Sequence, residues 1–240
     1  MPAATSEDLR FATPLYTVTE AARLLELSPS TLSTWVKGYQ RQSGGRPEVG
    51  QPVISSLEPA TPRGPTIPFV GLAEGMVLAA VRAAGVPLQR IRPALEQLAK
   101  GLGVEHALAC RKLYTDGAEI LYDLSEHRRD LDPRPVRQLI VVRSEQGVFS
   151  EVVEQYLRRI DYGPDGYARL VRLPGYGTAE VIADPERGFG QPIFAHGGSR
   201  VADVLGLFWA GEDLETVAAE YGVPRSQLKD ALRVASRRAA

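Results

Sequence analysis

Two short amphipathic runs, separated by only four residues, constrain this chain more than anything else in it. Over residues 18–37 apolar side chains recur at helical spacing in two blocks, Ala21-Ala22-Leu24-Leu25 and Leu32-Trp35-Val36, with Leu27-Ser28-Pro29-Ser30 between them. Neither run is long enough to persist as an isolated helix in water, so each must bury its apolar face against the other and against further elements. Thr19 is a suitable N-cap for the first helix. Ser28 or Ser30 can cap the second, with Pro29 in its first turn, and Gly38 ends it. Two short helices around a tight break, with small residues on the first, form the helix-turn-helix pattern. Trp35, flanked by Leu32 and Val36, is expected in the core.

The polar face of the second helix carries Ser30, Thr31, Ser33, Thr34 and Lys37. No acidic residue occurs from 27 to 47, whereas Lys37, Arg41 and Arg46 do. Short hydroxyls can reach phosphates or base edges, and the basic groups can displace counterions from a nucleic-acid backbone. Tyr39 and Arg41 at the helix exit, and Arg63 further on, are candidate phosphate contacts. The whole chain has 28 basic and 29 acidic residues, a formal net charge of −1. That balance excludes a protein that coats nucleic acid by bulk charge, so binding must come from a local patch.

The expected fold class is mainly α with small β elements. A winged helix-turn-helix domain is expected over 1–103, a central α+β region over 104–185, and a C-terminal helix-turn-helix-like helical domain over 186–240. Residues 40–65 are rich in Gly, Pro and Ser, with one strand-like piece at 52–57, and read as a hairpin or wing with its tip around 59–65. Helices are predicted over 70–84, where Gly71 and Gly75 allow close packing, and over 88–102. In the centre the pattern suggests a hairpin at 112–123, a linker at 127–135, a strand at 138–143, a helix at 149–160, and strands at 167–172 and 179–183. Helices at 201–209, 214–221 and 225–235 close the chain.

No catalytic or cofactor constellation emerges. His106, His127 and His196 lack ligand spacing, and a lone Cys110 leaves no zinc motif to assemble, so each histidine reads as a surface or hydrogen-bonded residue. Ser226 and Lys229 have an S-x-x-K spacing without its companion motifs. The single cysteine, the charged residues Glu7, Asp8 and Arg10 near the start, and apolar stretches broken by Glu74, Arg82 and Asp203 point to a cytoplasmic protein with no membrane span.

The segment VTEAARLLELSPSTLSTW at 18–35 resembles the MerR-type winged helix domain, and 66–98 resembles that family's second helix pair. The resemblance implies a homodimer on a palindromic operator, with Ser30, Thr31, Ser33, Thr34 and Lys37 in the recognition positions. Residues 190–232 are similar to a small antitoxin-associated domain of unknown function. Together the two resemble a VapB-type antitoxin, which implies a PIN-domain ribonuclease toxin as partner and repression of a shared operon. Phe208 and Trp209 beside Arg200 and Arg225 are the expected partner anchors, since aromatics and arginines dominate interfaces. Phe208 and Trp209 could equally fill a small core. Two other readings stay open: a free-standing regulator sensing a ligand through 104–240, and an adaptor that binds no DNA.

Overall fold

Thr17 opens the first helix through a capping box: its Oγ1 accepts from the Glu20 backbone N–H, and the Glu20 carboxylate accepts from the Thr17 N–H. The T-x-x-E spacing at 17–20 therefore outcompetes Thr19, which lies inside the helix. In this computed structural model residues 5, 7–43, 46–85, 92, 95, 103–113 and 155–239 are described. Helix α1 spans Val18–Leu24 and α2 spans Pro29–Lys37. Strands β1 (Tyr39–Ser43) and β2 (Arg46–Gly50) form an antiparallel hairpin directly after α2. The wing therefore comes earlier than expected. Residues 52–57 are not a strand: Val53 donates its N–H to the Trp35 carbonyl, which ties this segment to the end of α2.

Helix α3 (Phe69–Ala83) is the axle of the N-terminal part, buried at every residue from Phe69 to Val81. A Cβ on Gly71 would lie 2.4 Å from the Ser55 carbonyl oxygen, and one on Gly75 would lie 2.7 Å from Leu25 Cδ1. Both glycines thus permit the close approach expected of them. Of the helix predicted over 88–102, only Arg92 and Leu95 are described, and both are helical. Lys112 and Leu113 are helical rather than the start of a hairpin. The remainder of that hairpin, the linker at 127–135 and the strand at 138–143 lie outside the described residues. The helix expected over 149–160 has ended before Ile160, which begins a strand.

Four antiparallel strands then pair in chain order among the described residues: β3 (Ile160–Tyr162), β4 (Ala168–Arg172), β5 (Val181–Ala183) and β6 (Ile193–Phe194). The β5–β6 pairing crosses position 185, so the last segment of the chain completes the sheet of the central one. Helices α4 (Val201–Trp209), α5 (Leu214–Tyr221) and α6 (Arg225–Ala239) follow. Helix α6 runs past 235 because no glycine or proline interrupts it.

One contiguous apolar cluster joins these parts, from Ala21 and Trp35 through Met76 to Val181, Phe194, Val204 and Leu228. Polar ties reinforce it. Tyr16 Oη donates to the Gly190 carbonyl at 2.8 Å, and the Arg10 guanidinium meets the Asp165 carboxylate at 2.6 Å. Among the described residues no helix is long and apolar enough to cross a membrane.

Candidate nucleic-acid interface

Ser28 is the N-cap of α2, its Oγ accepting from the Thr31 backbone N–H at 3.2 Å, with Pro29 in the first turn. The chain reaches this cap through Glu26, held at φ +56°, while Leu27 donates back to the Ala22 carbonyl. Leu32, Trp35 and Val36 turn into the core, Trp35 with only 2% of its surface exposed. That fixes the opposite face outward. Ser30 and Lys37 are exposed, and Thr31, Ser33 and Thr34 are half-buried along the same helix.

The hydroxyls are partly engaged. Thr34 Oγ1 donates to the Ser30 carbonyl at 2.9 Å, so its proton is committed to the helix while its lone pairs face out. Thr31 Oγ1 accepts from Ser28 Oγ at 2.8 Å and from Arg82 Nη1 at 3.2 Å. Sequence reasoning missed Arg82. Its location in the last turn of an otherwise apolar helix was the available signal, but only folding carries that exposed guanidinium to the N-terminal end of α2. The interface therefore holds one more cation than the recognition helix and wing supply.

The hairpin brings Tyr39, Arg41 and Arg46 onto one element: Tyr39 pairs with Gly50, Arg41 with Glu48, and Ser43 with Arg46. Arg63 is not on it. That residue is exposed in a separate loop, with φ +67°, closed by a Leu57 N–H to Thr66 carbonyl bond. The loop is a second projection, because the strand pairing that would have put 59–65 at a wing tip is made by 39–50 instead.

Of the expected partner anchors, Trp209 is 61% exposed, Arg200 is exposed at the N-cap of α4, and Phe208 is half-buried. Leu205 supplies the core contact on that helix. Arg225 is exposed and paired with Glu215 at 2.5 Å, a surface ion pair of small energetic weight. A groove of about 610 Å³ opens beside this helix, its walls including Glu20, Arg23 and Leu24 of α1 and Arg200, Leu205 and Trp209 of α4. The helix-turn-helix and the C-terminal helices thus share a surface cleft. Among the described residues no three His, Cys, Asp or Glu side chains gather as a metal site.

Residues 14–95 match a family model described as "Putative DNA-binding HTH domain", and residues 181–235 match one described as "Protein of unknown function (DUF433)". Over 228 residues the chain is 50% identical to "Putative antitoxin VapB45" of Mycobacterium tuberculosis, covering 94% of this chain and 95% of that protein. The chain belongs to the VapB-type antitoxins. A second relative from the same organism, "Uncharacterized protein Rv2308", is 29% identical, covering 91% of this chain and 88% of its own. The crystal structure of Rv2018 from Mycobacterium tuberculosis is similar at 44% identity with a TM-score of 0.76, across 93% of this chain and all of that one. In this VapB-type chain the helix-turn-helix is the DNA-binding element, and its exposed α2 face is the surface available for that role.

Proposed function

We propose that this antitoxin represses its own operon as a homodimer and neutralises a PIN-domain ribonuclease toxin. The observation that carries the DNA half is the orientation of α2. Its apolar side is locked into the core, which leaves Ser30, Lys37 and the partly engaged hydroxyls facing solvent beside the hairpin. A helix presented this way enters a major groove with short polar groups and a flanking cation. The toxin half rests on the solvent-exposed Trp209 and Arg200 of α4, an aromatic and a cation of the kind that anchors interfaces. This is the reading of a binding protein rather than of a catalyst.

Fluorescence anisotropy on DNA from upstream of the gene, across a salt series, tests the first half. Lys37→Ala and Arg41→Ala are each expected to weaken binding and to reduce the slope of log K against log salt by about one for each phosphate that the variant no longer neutralises. Wild-type affinity and slope in both variants would remove α2 and the wing from the interface. For the second half, co-expression with the neighbouring toxin gene is followed by pull-down and an RNase assay. Trp209→Ala and Arg200→Ala are expected to release the toxin and restore its RNase activity while operator affinity stays unchanged. Undiminished capture by both variants would move the toxin contact elsewhere.

A further inference from the structure

Arg92 is a cation without a matching anion among the described residues. Its Nε and Nη1 atoms are buried and have no hydrogen-bond partner there, and its guanidinium lies over the Tyr39 ring at 5.1 Å. The Tyr39 face offers the charge some compensation but accepts no N–H bond in the guanidinium plane. Burial pulls the guanidinium's pKa below its usual value, and the Tyr39 phenol opposes this only in part. Buried charges in folded proteins are normally paired, because leaving donors desolvated and unbonded costs free energy.

Arg92 lines a pocket of about 330 Å³, beside the chain that leaves the hairpin. The other groups there carry a consistent message. Glu74 is already matched: it accepts from the Ser55 N–H at 2.6 Å, from Ser55 Oγ at 3.1 Å, and lies 3.1 Å from His106 Nδ1. The hydrogen bond to Glu74 raises the His106 pKa against the effect of burial, which adds positive character to the same wall. The unmatched charge of the pocket is therefore positive. Ile54, Leu95 and Leu108 supply apolar lining. The volume is at the small end of ligand pockets.

We propose that this pocket binds a small carboxylate with a short aliphatic body, its oxyanion accepting from Arg92 and its hydrocarbon lying against Ile54, Leu95 and Leu108. The assignment is independent of what the chain does with DNA or toxin. It places a ligand against Tyr39, the first residue of β1, immediately after the recognition helix.

The test uses full-length protein with butyrate, its neutral counterpart butyramide, and inorganic phosphate, read by saturation-transfer NMR and by thermal melting. Butyrate is expected to show saturation transfer to its methyl group and to raise Tm, with both effects lost in Arg92→Met. Butyramide is expected to do neither. Equal effects from butyrate and butyramide on the wild-type protein would overturn the charge-based assignment, whether or not the variant folds. Persistence of the butyrate effects in a folded Arg92→Met protein would overturn it too. Phosphate stabilising the protein where butyrate does not would show an oxyanion site of the wrong class and overturn the carboxylate.

Discussion

At the residue scale, Asp230 shows how one carboxylate can secure a helix to a loop. Its side chain is 8% exposed and accepts from the N–H groups of Gly177, Thr178 and Ala179 at 2.6, 2.8 and 3.0 Å, while Arg233 closes on it from one turn away. Burial alone would push the carboxyl up. The Ala179 N–H, Arg233 and the Thr178 and Gly177 N–H groups outweigh that and bring it down from 3.8 to about 2. A carboxyl depressed on folding contributes stability above its unfolded pKa and loses that contribution as pH falls through the folded value. A shift of this size corresponds to about 2 kcal/mol. Asp230→Ala is expected to lower the urea midpoint at neutral pH and to flatten the loss of stability between pH 4 and 2. A variant whose stability follows the wild-type acid profile would show that the α6 anchor lies elsewhere.

At the element scale, the junction between α2 and the hairpin depends on Gly38. It holds φ +73°, and a Cβ there would sit 2.2 Å from the Gly50 carbonyl oxygen, so both the backbone conformation and the close strand approach need glycine. Gly38→Ala is expected to cost about 1–3 kcal/mol and to weaken operator binding by misplacing the hairpin relative to α2. Thermal melting and anisotropy on the same protein check this, and an unchanged melting temperature would mean that the junction relaxes freely. Periodicity places α1, α2, α3 and α4–α6 well because each has a one-sided apolar face and a local stop. The hairpin lies several residues earlier than the pattern suggests. Residues 39–50 have no run of β-branched or aromatic residues, and cross-strand pairing after a glycine decided the matter. Strands β3 and β6 are two or three residues long and exist only because β4 and β5 lie beside them. Trp209 and Phe208 could not be sorted by pattern either: a nine-residue apolar helix has several possible inward faces, and the packing of α5 and α6 chose the one through Val204 and Leu205.

At the scale of the whole molecule, the N-terminal helices, the sheet and the C-terminal helices draw on one apolar cluster. Phe194, Val204 and Leu228 from the last fifty residues belong to it together with Trp35 and Met76. Removing residues 186–240 would strip β6 from the sheet, leave the Tyr16 hydroxyl without its Gly190 acceptor, and expose Val181 and Ala183. Such a truncation is expected to lose cooperative unfolding altogether, as read by near-UV circular dichroism during a thermal melt. A sharp melt in the truncated protein would show that the N-terminal part folds by itself.

Local information in the chain was sufficient for the helix-turn-helix, its outward hydroxyl and lysine face, the burial of Trp35 and the three closing helices. These follow from spacing, capping and breakers within some fifteen residues. Tertiary structure alone brought Arg82 to Thr31, set Glu74 between Ser55 and His106, left Arg92 buried without an anion among the described residues, and opened a cleft between α1 and α4. Those arrangements join residues tens to hundreds of positions apart, and the free energy that selects them comes from packing and desolvation shared across the whole core, which no short stretch of sequence encodes.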